Sequence, residues 1–266
     1  MVRVLAAIAL VAALAGCGSK AAVTTTVPPP KPFRVLFPEG FTRAEMAQRV
    51  QAVAKIAAKE HRGRPRLSTK TYLAATHARH VAGFGTPHRP LEGFLFPATY
   101  DFLPQTTSTQ LVRAQLQAFA VNWQHVDLAY ARSKNLTPYD VLTIASMIEK
   151  EAVVPSERKL IAAVIYNRLH ARMPLGIDAT IRYGLGVPGT ESLLQSQLDS
   201  NNAYNTRKFP GLPPTPISNP GLASLQAAAH PAQVDYLYFV RKPDKLHHYF
   251  TASFNDFVNH ERLYGY

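Results

Sequence analysis

Thr137-Pro138-Tyr139-Asp140-Val141-Leu142-Thr143-Ile144-Ala145-Ser146-Met147-Ile148-Glu149-Lys150-Glu151-Ala152 decides how the rest of the chain is read. Thr137 supplies a capping hydroxyl, Pro138 suits the first helical position where no N–H is needed, and Asp140 places negative charge in the first turn. A helix to about Ala152 follows. Val141, Ile144, Ala145, Ile148 and Ala152 lie on one stripe at 100° per residue, with Glu149 and Glu151 flanking it on either side and Lys150 pointing away to solvent. A carboxyl at the rim of a buried region is partly desolvated, which raises its pKa and keeps it protonated near neutrality. Such a group is what protonation of a glycosidic oxygen requires. A Glu-Lys-Glu at a helix end is also the usual composition of a solvated charge cluster, so these residues need company to carry chemistry.

Working outward, Ser156-Glu157 opens a second helix with Leu160, Ile161, Val164, Ile165 and Leu169 inward, ending before Pro174. On the N-terminal side, Leu111, Ala114, Leu116, Phe119, Ala120 and Trp123 predict one long amphipathic helix from Ser108 to about Lys134. Residues 205–220, rich in Pro, Gly and Asn, predict an extended loop. Asn219-Pro220 then caps a short helix, and residues 235–240 with 248–251 form a hairpin around Pro243-Asp244. Earlier still, Arg34-Val35-Leu36-Phe37 reads as a strand, Thr42 with Glu45 as a capping box opening a helix to about Lys59, and Ser68 as the cap of a helix to about His80. Phe94-Leu95-Phe96 and Thr99-Tyr100 close this strand-helix-helix-strand unit. The fold class is therefore α+β: a small unit over residues 33–105, then a mixed, largely helical domain with a short antiparallel sheet over residues 106–266.

The N-terminus has its own logic. Residues 1–17 place Arg3 before a small-residue apolar run and then Leu14-Ala15-Gly16-Cys17, the layout of an export signal, and the tetrapeptide resembles the lipobox at which Cys17 is cleaved to and acylated. The apolar run falls short of the ~20 residues of a spanning helix. Residues 18–32, ending in Pro28-Pro29-Pro30, read as a tether. The body is expected outside the cytoplasm, anchored to the cell membrane.

Bulk properties narrow the classes. With 266 residues, 47% hydrophobic and 17% charged, the chain can bury a core. The 29 Lys+Arg against 17 Asp+Glu favour an anionic partner, but the basic residues are scattered and no nucleic-acid signature accompanies them. A single cysteine excludes intrachain disulfides and cysteine metal clusters. No metal or cofactor is expected: no serine hydrolase elbow, zinc helix or phosphate loop is present, and the adjacent His247 and His248 point to opposite faces of a strand. Asn167, Asp178, Tyr204, Asn205 and His248 sit at ends of apolar elements, where a pocket is lined and where caps, turn residues and satisfied strand histidines also occur.

Five stretches, Leu91-Glu92-Gly93-Phe94-Leu95-Phe96-Pro97, Ala145 to Glu151, Tyr166-Asn167-Arg168-Leu169, Ala203-Tyr204-Asn205-Thr206 and Gly211-Leu212-Pro213-Pro214, together resemble, in order and spacing, the endolytic murein transglycosylases of the YceG-like family. The resemblance runs from about Val35 to the C-terminus. It implies a LysM-like peptidoglycan-binding domain over residues 33–105, a catalytic domain over residues 106–266, peptidoglycan glycan strands as substrate and peptidoglycan synthases as candidate partners. It also implies a catalytic glutamate, Glu151 with Glu149 in reserve, and a sugar cleft lined by Tyr204, Asn205, Asp178, Asn167 and Ser146. The sequence departs from the family pattern at Ala98, where Asp is usual, at Arg207, where a second Tyr is usual, and across Gly176 to Thr180. A hydrolase pairing Glu151 with Asp178, and a non-catalytic wall-binding scaffold lipoprotein, are the other readings the residues allow.

Overall fold

The computed structural model describes residues 32–60, 65–85 and 89–266; the signal-like segment, Cys17 and the tether lie outside them. Residues 32–266 form one compact unit.

The chain enters through β1 (Phe33–Leu36), α1 (Arg43–Lys59), α2 (Thr69–Ala75) and β2 (Thr99–Phe102), with β1 and β2 antiparallel and Phe33 opposite Phe102. The expected capping box of Thr42 with Glu45 forms, and Ser68, expected as a cap, closes a box of its own with Thr71. The second helix is shorter than the sequence reading. Thr76 turns its hydroxyl onto the Tyr72 and Leu73 carbonyls, and the chain leaves to pair Arg79 with Arg89. Phe94 to Phe96, expected to help close the sheet, lie in a turn before β2 instead: Gly93 has φ +89°, and an added Cβ would lie 2.8 Å from Pro216.

The long helix expected over 108–134 is two, α3 (Ser108–Trp123) and α4 (Ala129–Ser133). The Asp127 carboxylate accepts the Ala129 N–H and restarts the helix after a turn.

Next comes α5 (Pro138–Glu151), capped by Thr137 and Asp140 as the sequence predicts. It is not amphipathic. Every residue from Val141 to Ile148 is buried, because α5 packs against α6 (Arg158–His170), α7 (Asp178–Leu185) and α9 (Leu222–Ala229). Fully buried Leu142, Ile144, Met147 and Ile148 each contribute about 1.5–3 kcal/mol of burial, making α5 the axis of the fold. The polar groups inside are spent locally: Thr143 donates to the Tyr139 carbonyl and Ser146 to that of Thr143.

A single apolar core runs from Phe33 and Val35 through Phe94 and Ile144 to Ala229. The change at residue 105 is therefore one of secondary structure, with packing continuous across it. The hairpin is β3 (Tyr238–Arg241) with β4 (His248–Thr251), as expected, followed by α10 (Phe254–Tyr264). Helices α7, α8 (Gln195–Leu198) and α10 are additions to the sequence reading.

Candidate active site

The two glutamates at the end of α5 have different fates. Glu149 is pulled into the protein. Its Oε2 accepts the Gly221 N–H at 3.0 Å, Arg158 lies 3.9 Å from Oε1, and the side chain is only 7% exposed. Gly221 is the N-cap of α9, so Glu149 supplies the negative charge that this helix start lacks in its own sequence. The expected cap, Asn219, is fully buried and works elsewhere: it donates to the Phe41 carbonyl and to Glu92, and accepts from Leu95 N–H.

Glu151, two residues on, lines a groove of about 1330 Å³. Compact small-molecule pockets run to roughly 1,000 Å³, so this groove has room for part of a chain molecule. Its walls come from the start of α1, the end of α5, α7, β3 and α10. Burial is the largest influence on Glu151 and raises its pKa; Arg241 lowers it, Asp178 raises it, and the Ala179 N–H and Arg182 lower it. The net effect holds the carboxyl protonated at a higher pH than an ordinary glutamate.

Among the expected cleft residues, Asp178 lines the groove. It opens α7 on the groove wall and pairs with Arg207 at 2.7 Å, so the family departure at Arg207 creates a salt bridge. The others lie elsewhere. Ser146 is fully buried, its hydroxyl accepting the Ile217 N–H at 2.9 Å, which pins the 216–218 loop to α5. Asn205 is also fully buried, and its amide donates to the Leu198 and Ser200 carbonyls. Asn167 on α6 holds the approach to β3 through the Val234 and Tyr236 carbonyls. Tyr204 packs at a tilt against Tyr183, ring centroids 5.1 Å apart, and shares a 2.7 Å hydrogen bond with Thr215. None of these four is among the residues lining the groove.

His248 is the satisfied strand histidine: Nδ1 lies 2.7 Å from Glu157, whose other oxygen accepts the His248 N–H. Burial is the main cause holding its pKa down. His247 faces the other way, to Asp244. Lys150, expected in open solvent, is exposed but reaches the Gly40 carbonyl at 3.3 Å along the groove rim.

The sequence reading missed Glu92. It is 3% exposed, lines the groove, and accepts from Arg43 N–H at 2.9 Å, Asn219 at 2.8 Å and Tyr183 hydroxyl at 3.0 Å. Desolvation outweighs those three donors and lifts its pKa to about 7. A signal was present: an acid between Leu91 and the Phe94-Leu95-Phe96 run is surrounded by residues that seek the core. Among the described residues no cluster of ligating side chains fits a metal, and no helix is long and apolar enough to cross a membrane.

Comparison with known proteins places this geometry. The model of the YceG-like family matches residues 15–262. An endolytic murein transglycosylase of Bacillus subtilis (strain 168) is 40% identical over 154 residues, 58% of this chain and 42% of that protein. One of Streptococcus pneumoniae (strain R6) is 36% identical over 220 residues, 76% of this chain and 39% of that protein. The chain thus spans about two fifths of the length of these curated relatives. A crystal structure of a yceG-like protein from Listeria monocytogenes superposes with TM-score 0.70 at 30% identity, covering 88% of this chain and 76% of that one. With nearly its whole length matched by the family and its fold shared with a solved member, the chain belongs to the YceG-like family.

Proposed function

We propose that the chain is an endolytic murein transglycosylase that cuts peptidoglycan strands at the bond between N-acetylmuramic acid and N-acetylglucosamine, with Glu151 as its acid and base. The observation that carries this reading is a desolvated carboxyl in a groove with room for part of a chain molecule. Protonated Glu151 donates to the glycosidic oxygen, and positive charge develops at the muramoyl C1. The resulting carboxylate then takes the proton of the muramoyl 6-hydroxyl as that oxygen closes onto C1. The products are a free 4-hydroxyl on N-acetylglucosamine and a 1,6-anhydro end, and no water is consumed. One carboxyl suffices because the nucleophile belongs to the sugar. The names of the B. subtilis and S. pneumoniae relatives support this assignment.

The β1-α1-α2-β2 unit supports a wall-binding, LysM-like role for residues 33–105. The apolar run ending at Cys17 supports action outside the cytoplasm from a membrane anchor.

Mass spectrometry of digested sacculi tests the reaction: anhydro ends are expected, and reducing ends one water heavier would assign a hydrolase instead. Glu151→Gln is expected to lower turnover by about 10²–10⁴-fold, the usual contribution of a general acid and base. Wild-type release of fragments by purified Glu151→Gln would remove this residue from the chemistry.

A further inference from the structure

The groove is rich in cations whose bonds are already made, with one exception. Among the described residues that line it, six are Lys or Arg and five are Asp or Glu. Arg168 gives its guanidinium to the Leu237, Pro174 and Leu175 carbonyls, and Arg182 to those of Pro188 and Glu191. Arg207 pairs with Asp178, Arg43 donates to Leu73 and Thr76, and Lys150 reaches Gly40. Arg241 has neither a hydrogen bond nor an ion pair from its side chain among the described residues, though it is half-buried at the end of β3 on the groove wall. It is also near enough to Glu151 to act on it electrostatically. Because β4 pairs Arg241 with His248, and His248 is tied to Glu157, the strand that carries the guanidinium is firmly held.

A half-buried guanidinium with five unspent donors is costly to leave unpaired and matches a carboxylate in planar, two-pronged geometry. We infer that Arg241 is an anion-binding position that takes a carboxylate of the peptide carried by the muramoyl residue being cut. This rests on the proposed reading of Glu151: the sugar beside the acid is the muramoyl residue, and its lactyl ether is where the polymer bears its peptide. A cation next to Glu151 therefore meets that substituent rather than the neutral N-acetylglucosamine. Selection of peptide-bearing over bare glycan follows.

Binding without turnover tests this in the full chain carrying Glu151→Gln, which keeps the shape and neutrality of the protonated acid. Calorimetry compares glycan strands bearing their peptides with the same strands stripped by an amidase and then capped as methylamides at the lactyl carboxylate that the amidase frees. Peptide-bearing strands are expected to bind about tenfold more tightly, the scale of one charge-assisted hydrogen-bonded contact. The preference is expected to shrink with added salt. Adding Arg241→Gln is expected to abolish the preference while leaving affinity for stripped strands unchanged, and Arg241→Lys to keep part of it. Equal affinity for the two strands before Arg241 is changed, or an equal loss on both with Arg241→Gln, overturns the inference and leaves the glycan reading standing. Absence of binding to either strand overturns both.

Discussion

Glu92 sets three hydrogen-bond donors against burial, and Glu92→Gln measures which wins. With the carboxyl at about 7 in the fold against an ordinary value of 4.5, the native state holds a proton that the unfolded chain has already released between those values. The raised folded pKa gives stability that is complete below 4.5 and lost as pH rises through 7. At 1.36 kcal/mol per unit the full swing is about 3 kcal/mol, of which about 2.5 falls between pH 5 and pH 8. Glutamine does not titrate, so the stability of wild type relative to Glu92→Gln should fall by about 2.5 kcal/mol over that range. Urea unfolding of both proteins at matched pH provides the readout. Taking the difference cancels the other groups whose pKa values burial raises, Glu39 and Glu151 among them. A difference independent of pH would refute the reasoning: Glu92 would then be ionised throughout, with the Arg43, Asn219 and Tyr183 donors outweighing desolvation.

Removing the Glu149 side chain should act on stability. Glu149→Ala leaves the Gly221 N–H without its acceptor and Arg158 with Glu39 as its remaining nearby carboxylate, an expected cost of about 1–3 kcal/mol by denaturant unfolding. Glu149→Gln, which keeps an acceptor oxygen, should cost less. In folded Glu149→Gln the turnover should stay within a few-fold of wild type, in contrast to Glu151→Gln. Gly93→Ala should be more damaging than its size implies, since a Cβ there meets Pro216 at 2.8 Å and Leu142 at 3.2 Å with φ at +89°. A loss of about 2–4 kcal/mol is expected in a thermal or urea melt.

The residues of the chain determined what depends on neighbours a few positions away. The Thr42, Ser68 and Thr137 caps, Pro138 at the first turn of α5, and the hairpin around Pro243-Asp244 are set by contacts within a turn, and all are legible directly. The identity of the Glu-Lys-Glu stretch was legible too, through its order among four other motifs. Which glutamate faces the groove was not, because both flank the apolar stripe and only the loop carrying Gly221 separates them. Glu92 acquires its character from residues 49, 91 and 127 positions away in sequence, brought together only when the core closes. The same closure hid Ser146 and Asn205, whose polar side chains read as cleft residues until burial handed them backbone partners. Periodicity records the side of a helix that seeks apolar contact. The depth of that contact, and hence which acid keeps its proton, depends on how many other elements arrive.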